Sequence, residues 1–235
     1  MNIVITGASK GLGKAIATEF ADDKQGHTFF LCARTQSELE LTGRELQGRF
    51  PRTNIYTMPC DVTSKQMLAA FGDWIKSHTV KIDILVNNAG IFYPGSVHNE
   101  QEGVLEKTMA ANLYGAYRLT RMLLPMMMKS GSGHIFNICS IASLAAYPNG
   151  GAYSISKYAL YGFSKNLREE LKPYGIKVTH VLPGAAYTDS WSKSGVDPKR
   201  LMEATDIAKM IYTAAHLSPQ ACVEEIIVRP QLGDL

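Results

Sequence analysis

Residues 2–20 read NIVITGASKGLGKAIATEF and give the strongest indication of how this chain folds. This stretch joins the short β-rich run NIVIT to an amphipathic run through a turn that contains Gly7, Gly11 and Gly13. Glycines let a backbone approach an anion closely, and the N-terminus of a helix presents free N–H groups and a positive dipole end to that anion. The stretch therefore predicts a strand, a phosphate-binding turn and a helix, as in dinucleotide-binding folds.

Outward from this turn, short β-rich runs alternate with longer helical patterns. Seven strands are predicted, at 2–6, 28–33, 54–58, 83–87, 134–139, 177–182 and 225–228. Helices are predicted near 12–24, 36–49, 64–78, 100–129, 153–173 and 204–217. This alternation is typical of a parallel sheet covered on both faces. We expect an α/β fold: a single Rossmann-type doubly wound domain with a seven-stranded parallel sheet and helices on both faces.

No proline-rich or low-complexity linker divides the chain, so residues 1–235 are expected to form one dinucleotide-binding and catalytic domain. The long break in the pattern is 184–203, which is rich in Gly, Ser, Lys and Asp. Long loops in compact domains are often functional, which predicts a substrate lid here.

Composition excludes several classes of protein. A net charge of +3 over 235 residues is too small and dispersed for a nucleic-acid surface. The four cysteines form no CxxC pair and have no histidine at metal-ligand spacing, which predicts free thiols and no metal site. No signal-peptide core follows Met1, and no apolar run approaches the roughly 20 residues of a membrane span. We expect a cytoplasmic protein.

The end of the second predicted strand indicates the cofactor. In nicotinamide-binding folds an acid there holds the ribose 2′-hydroxyl, whereas a basic group suits a 2′-phosphate. The chain reads Ala33-Arg34-Thr35, and Lys10 in the glycine turn is a second cation. Arginine engages phosphate bidentately and lysine adds a point charge. NADP(H) is therefore expected, the alternative being that Arg34 and Lys10 are solvated surface charges.

Tyr153 and Lys157 lie four residues apart in a predicted helix, so their side chains share one face. An ammonium about 4 Å from a phenol, at a dielectric near 20, is worth roughly 4 kcal/mol, or about three pKa units before desolvation. Lys157 is thus expected to lower the pKa of Tyr153 and make it a proton donor. A YxxxK pattern often occurs by chance. Here Ser140 adds support, because it ends the fifth predicted strand and ligands of parallel sheets bind at the carboxyl ends of strands.

Further motifs stand in order along the chain: TGASKGLG at 6–13, Asp61-Val62, NNAG at 87–90, Asn112, Ser140, YSISK at 153–157 and PGAAYT at 183–188. Together they resemble the short, non-extended form of the short-chain dehydrogenase/reductase family, from end to end.

The resemblance implies a catalytic tetrad. Ser140 would polarise a substrate carbonyl and Tyr153 would deliver the proton. Lys157 would bind the nicotinamide ribose and lower the pKa of Tyr153, and Asn112 would position a water that links Lys157 to solvent. The implied activity is NADPH-dependent reduction of a carbonyl to an alcohol.

The resemblance also implies a cofactor site. Asp61 would bond the adenine amino group, Asn87 would secure the adenosine side and Thr188 would hold the carboxamide. Alternatively, Asp61 is a turn residue and Thr188 a simple hydroxyl. The implied set is Gly7, Ser9, Lys10, Gly11, Leu12, Gly13, Arg34, Asp61, Val62, Asn88, Ala89, Gly90, Tyr153, Lys157, Pro183, Gly184 and Thr188.

The tail VEEIIVRPQLGDL, 223–235, and YTDSW, 187–191, resemble bacterial sepiapterin reductases within the family. This implies sepiapterin or a related pterin side-chain carbonyl as substrate, with Trp191 stacking on the ring and Tyr147 and Tyr187 nearby. The alternative is that these aromatics are ordinary packing residues.

Two other functions stay open. A 3-oxoacyl-carrier-protein reductase would share the catalytic residues and need a basic patch, for which Arg121, Lys129, Arg168 and Lys172 are candidates, unless they are solvated helix faces. A non-catalytic NADP(H)-sensing regulatory protein would not need the intact tetrad. The helices at 100–129 and 153–173 carry apolar residues beyond those that one sheet face covers, and with the resemblance this predicts a homodimer or homotetramer.

Overall fold

The main sheet is built entirely from parallel strand pairs. We describe it from a computed structural model, for residues 1–188 and 195–235. The strands are β1 (Asn2–Thr6), β2 (Thr28–Ala33), β3 (Asn54–Pro59), β4 (Ile84–Asn87), β5 (Gly133–Ile138), β6 (Ile176–Pro183), β7 (Ala186–Tyr187), β8 (Met202–Glu203) and β9 (Glu225–Val228). The sheet has seven strands in the order β3-β2-β1-β4-β5-β6-β9. All seven predicted strands are therefore confirmed, with ends that shift by one residue at most.

Within the described residues, seven α-helices connect these strands: α1 (Gly11–Asp22), α2 (Gln36–Arg49), α3 (Lys65–His78), α4 (Val104–Met109), α5 (Gly115–Ser130), α6 (Gly151–Leu171) and α7 (Ala204–Ala215). One core cluster joins α1, α2 and α7 to the sheet and includes Ile16, Phe20 and Ile211. A second joins α3, α5 and α6 to the opposite face and includes Phe71 and Leu123. Helices cover both faces, which confirms the doubly wound fold.

The strand order reverses between β1 and β4. The chain moves outward from β1 through β2 to β3, and then returns to place β4 on the other side of β1. Connections that leave in opposite directions open a crevice at the carboxyl ends of two adjacent strands. The glycine turn follows β1 at this point, and the NNAG motif begins at the last residue of β4.

The predicted helix at 100–129 is wrong in two respects. Residues 100–103 are not helical, and α4 begins after Gly103, whose φ of +82° a helix does not allow. A π-helical turn, Ala110–Tyr114, then separates α4 from α5. Such turns are frequent at functional sites because they redirect side chains locally, and this one contains Asn112.

The predicted lid at 184–203 contains a short parallel pair, β7 with β8, and a 3₁₀ turn, Pro198–Arg200. Residues 189–194, and with them Trp191, lie outside the described residues. No helix in the described ranges is both long and apolar enough to span a membrane.

Candidate active site

The glycine turn is closed by an asparagine from the next strand along the sheet. A Cβ at Gly13 would lie 2.3 Å from the Gly7 carbonyl oxygen, so only glycine allows α1 to start this close to β1. Asn88 donates from Nδ2 to the carbonyl oxygens of Thr6 and Gly7, at 2.8 and 3.0 Å. The turn is therefore held rigid from the β4 side.

Ser140 follows β5 directly and forms a capping box with Ser143, in which the side chains and backbone N–H groups bond reciprocally. Its Oγ accepts from the Ala142 backbone N–H at 3.1 Å, while its own N–H donates to Ser143 Oγ at 3.3 Å. Ser143 Oγ donates in turn to the Lys157 carbonyl oxygen at 2.9 Å. Ser143, which the sequence did not single out, thus connects the end of β5 to α6.

Tyr153 and Lys157 occupy the first two turns of α6, on the face toward β5. Lys157 is buried and its Nζ donates to the Ile138 carbonyl oxygen at 2.7 Å. The same Nζ lies 5.7 Å from the centre of the Tyr153 ring. Phe92 meets that ring edge to face with centroids 5.0 Å apart, which packs Tyr153 from the loop side.

The ionisation of this pair differs from the expectation. Burial raises the pKa of Tyr153, more than its hydrogen bond with Ser140 lowers it, and Cys139 adds to the rise. Burial also lowers the pKa of Lys157 to about 8. The expected lowering of the Tyr153 pKa is wrong for this structure, because desolvation on burial is the largest influence on both groups and penalises the charged form of each.

Asn112 uses its whole side chain to hold the loop after β4. Its Oδ1 accepts from the Ile91 N–H at 2.7 Å, and its Nδ2 donates to the Ile91 carbonyl oxygen at 3.0 Å and to Ser156 Oγ at 2.9 Å. A Cβ at Gly90 would lie 3.1 Å from Asn112 Oδ1 and 3.7 Å from Lys157 Nζ. Asn112 therefore lies beside Lys157, and its role toward a water stays a prediction.

One cavity of about 510 Å³ brings most of these residues together. The sequence-predicted residues that line it are Leu12, Asn88, Gly90, Ser140, Tyr147, Tyr153, Lys157, Pro183, Gly184 and Thr188. It extends from the start of α1 across the end of β5 to the segment after β6. Residues predicted from motifs as far apart in the chain as Leu12 and Thr188 thus share one space.

The two cations predicted to bind the 2′-phosphate, Arg34 and Lys10, are not among the described lining residues of the cavity. Arg34 is exposed where β2 ends. Lys10 Nζ lies 3.6 Å from Glu38 Oε1, and Ser9 Oγ donates a long hydrogen bond of 3.5 Å to Glu38 Oε2. Glu38, which the sequence did not single out, places a carboxylate next to the predicted 2′-phosphate position. Gly11 lies near Thr188: a Cβ added at Gly11 would be 3.5 Å from the Cβ of Thr188.

Three other predicted cofactor residues have mainly structural contacts. Asp61 Oδ1 accepts from the Thr63 N–H and hydroxyl at 2.9 and 2.8 Å. These bonds are those of a turn residue, the alternative role expected for Asp61. Val62 is buried in the core, and Ala89 donates from its N–H to Thr6 Oγ1 at 3.0 Å. Whether Asp61 bonds adenine stays a prediction.

Asn87 does not face the cofactor cleft. It is 3% exposed, and its Nδ2 donates to Thr120 Oγ1 at 2.9 Å and to Asn137 Oδ1 at 2.8 Å. Asn137 Nδ2 continues the chain to Ser164 Oγ at 2.8 Å. The expectation that Asn87 secures the adenosine is therefore wrong, because its side chain is buried and its Nδ2 joins β4 to β5 and α5 inside the protein.

Of the aromatic residues proposed to contact the substrate, Tyr147 lines the cavity. Burial raises the pKa of Tyr147 to about 12, and the nearby Tyr153 adds a smaller increase. Tyr187 is 49% exposed and is not among the described lining residues. Two charged residues of the tail, Arg229 and Asp234, form an ion pair and line the cavity as well. Their charges in the tail were visible in the sequence, but nothing local indicates that the tail folds back onto Gly184.

A doubly wound sheet with a glycine turn after β1 and Ser140, Tyr153 and Lys157 around one cleft defines the oxidoreductase class to which the chain belongs. Residues 1–199 match the model of the short chain dehydrogenase family, and the chain is a member of that family. The expected family resemblance is confirmed.

Individual relatives agree with this assignment. The sepiapterin reductase of Chlorobaculum tepidum is 34% identical over 239 aligned positions, which cover 99% of this chain and 97% of that protein. A metagenomic short-chain oxidoreductase in complex with NADP superposes with a TM-score of 0.85 at 30% identity, covering 98% of this chain and 97% of that one. L-sorbose reductase from Gluconobacter frateurii, complexed with NADPH and L-sorbose, gives 0.88 at 27% identity, covering 97% and 94%.

The lowered pKa of Lys157 predicts a pH dependence of stability. The lysine has its ordinary pKa of 10.5 in the unfolded chain and about 8 in the folded chain, so between these values the unfolded chain binds more protons. Stability should therefore rise with pH across this window, by up to about 3 kcal/mol, relative to Lys157→Met. Urea unfolding from pH 7 to 10.5 measures this, with the exposed Lys129→Met as control. Parallel profiles for wild type and Lys157→Met would contradict the burial of a charged lysine.

Proposed function

We propose that this protein reduces the carbonyl group of a small molecule to an alcohol, with NADPH as the hydride donor. The observation that carries the proposal is the shared cavity of about 510 Å³, in which Ser140, Tyr153 and Lys157 face the same space as Leu12 of the glycine turn and Thr188. The residues present fit a dinucleotide, because the cavity extends from Leu12, at the start of α1 where free N–H groups favour an anion, past Gly90 to Thr188.

The chain's own residues supply orientation and the proton. Ser140 would hold the carbonyl oxygen in the cavity, since its hydroxyl is fixed at the end of β5. Tyr153 would give that oxygen its proton, and its raised pKa keeps the phenol protonated at neutral pH until negative charge develops beside it. Lys157, with a pKa of about 8, can gain or lose a proton near neutral pH and would reload Tyr153. Bound NADPH supplies only the hydride.

Preference for NADP(H) rests on Arg34 and Lys10 at the end of β2 and in the glycine turn. Both are exposed to solvent where a 2′-phosphate would lie, although Lys10 shares its charge with Glu38 at 3.6 Å. The Lys10–Glu38 pair is long and about half exposed, and such surface ion pairs are weak, so a phosphate can compete with Glu38. The bound NADP and NADPH of the related structures support the same cofactor.

Arg34→Asp should weaken the binding of NADPH and not that of NADH. Losing a charge-assisted phosphate contact and gaining a repulsive carboxylate should raise the KM for NADPH by about 10-fold to 100-fold while the KM for NADH changes little. Arg52→Asp, at an exposed position before the amino end of β3, is the control of equal charge change. If Arg34→Asp keeps a preference for NADPH of about ten-fold or more, Arg34 does not select the phosphate.

Tyr153→Phe should abolish most turnover and leave NADPH binding intact. Removal of a general acid costs about 10²-fold to 10⁴-fold in rate, and the phenyl ring keeps its packing on Phe92. Turnover is followed by loss of reduced-nicotinamide absorbance, with Tyr158→Phe on the exposed side of α6 as the control. Retained turnover in Tyr153→Phe refutes the proton donor. NADPH binding without turnover in the wild type would instead favour the non-catalytic NADP(H)-sensing alternative.

For the substrate we propose sepiapterin or a related pterin with a side-chain carbonyl. The similarity to a sepiapterin reductase over 99% of the chain supports this, as does the position of Tyr147 and of the tail residues Arg229 and Asp234 around the cavity. The basic patch that a 3-oxoacyl-carrier-protein reductase would need is partly neutralised. Arg168 pairs with Glu224 at 3.0 Å and Lys172 with Glu169 at 2.6 Å.

A direct comparison of substrates tests this choice. Sepiapterin and related side-chain diketones should be reduced with a higher kcat/KM than 3-oxoacyl thioesters under the same conditions, because the cavity presents a tyrosine ring and an ion pair to a polar heterocycle. If thioesters are turned over and the diketones are not, the pterin assignment is wrong while carbonyl reduction itself stands.

The remaining expectations are part of the same proposal. Exposed apolar side chains on the outer faces of α5 and α6, Tyr117, Ile155 and Tyr158, support a homodimer or homotetramer.

Gly184 and Thr188 line the cavity, which supports a lid over the substrate formed by the segment 184–203. The cysteines are free, which supports a reducing cytoplasm. The main sheet takes its strands from residues 2–228, which supports one catalytic domain over 1–235.

A further inference from the structure

The N-terminus of α6 receives its cap from a distant loop. Gly150, the residue before the helix, has no side chain with which to accept the free N–H groups of the first turn. Glu100 instead reaches this turn from the loop before α4, and its Oε1 accepts from the Ala152 N–H at 2.7 Å. The two residues are 52 positions apart, and Ala152 directly precedes Tyr153.

Two glycines make room for this carboxylate. A Cβ at Gly151 would lie 2.0 Å from Glu100 Oε1, and a Cβ at Gly95 would lie 2.7 Å from Glu100 Cγ. Real Cβ atoms do not approach this closely, so larger residues at either position would displace the glutamate. The side chain is therefore enclosed by its own loop on one side and by the start of α6 on the other.

The same loop is attached to the catalytic region at its other end. Asn112 holds both polar groups of the Ile91 peptide, at 2.7 and 3.0 Å. Phe92, the next residue, packs its ring edge to face on Tyr153. The Gly95 N–H also donates to the Asn149 carbonyl oxygen at 3.2 Å, just before α6. The loop thus contacts Tyr153 directly through Phe92 and indirectly through Glu100.

We propose that Glu100 is a positioning residue of the catalytic helix, an inference that rests on the proposed reductase function. Its carboxylate satisfies an N–H group of the first turn and favours the positive end of the helix dipole, and so holds the backbone from which Tyr153 extends. Displacement of Glu100 moves the Tyr153 hydroxyl away from Ser140, which lowers kcat more than it changes cofactor binding.

A double-mutant cycle tests this role. Glu100→Ala should lower kcat by about 10-fold, because misplacement of a reacting group by a fraction of an ångström has such effects, with the KM for NADPH nearly unchanged. Glu100→Gln keeps an acceptor oxygen of the same reach and should retain most of kcat. Gly95→Ala, at a position with an ordinary negative φ, disturbs only Glu100 and should lower kcat in the wild-type background but not in Glu100→Ala. Glu102→Ala, exposed in the same loop, is the control.

A second readout does not depend on turnover. Amide exchange at Ala152 and the ring-current shift that Phe92 imposes on Tyr153 should change in Glu100→Ala and in Gly95→Ala, and return in Glu100→Gln. Additive effects of Gly95→Ala and Glu100→Ala on kcat, or unchanged exchange and ring signals in Glu100→Ala, overturn the positioning role. A wild type without any turnover would overturn the proposed function instead, and the two spectroscopic signals would still decide the role of Glu100.

Discussion

The hydrogen bond from Lys157 Nζ to the Ile138 carbonyl oxygen joins α6 to the end of β5, and the rest of the site depends on it. Burying an ammonium is costly unless it is bonded, and the lowered pKa of about 8 records that cost. Ser143 reinforces the junction by accepting from Ser140 and donating to the Lys157 carbonyl. Because both bonds fix α6 on β5, Tyr153, one turn before Lys157, lies beside Ser140.

The parallel sheet supplies the frame in which this junction acts. Carboxyl ends of parallel strands meet at one edge, so the glycine turn, Asn88 and Ser140 converge although the chain separates them widely. Asn88 closes the turn after β1 from the end of β4. Beneath them Asn87 and Asn137 join β4 to β5 and to two helices. The two asparagines of NNAG thus have different roles: Asn87 bonds inside the protein, and Asn88 holds the glycine turn that borders the cleft.

The central strands β1, β2 and β4 could be predicted almost to the residue because they are buried in the sheet and appear in the sequence as mainly apolar runs. Helix ends were less predictable where tertiary contacts override local pattern. The stretch around Asn112 has a helical pattern, yet a π-helical turn forms there and lets its amide hold the Ile91 peptide. The spacing of Tyr153 and Lys157 predicted a shared face correctly but the wrong direction for the Tyr153 pKa, because spacing carries no information about burial.

The doubly wound fold, the glycine turn and the candidate residues Ser140, Tyr153 and Lys157 could be predicted from the sequence, since each depends on local spacing or on the repeated alternation of strand and helix. Tertiary packing, by contrast, brings Glu100 to the start of α6, places Arg229 and Asp234 at the cavity, and shifts the pKa values of Tyr153 and Lys157 through burial. These depend on which distant segments meet and on how much water they exclude. Both are properties of the packed chain, and no local pattern of residues encodes them.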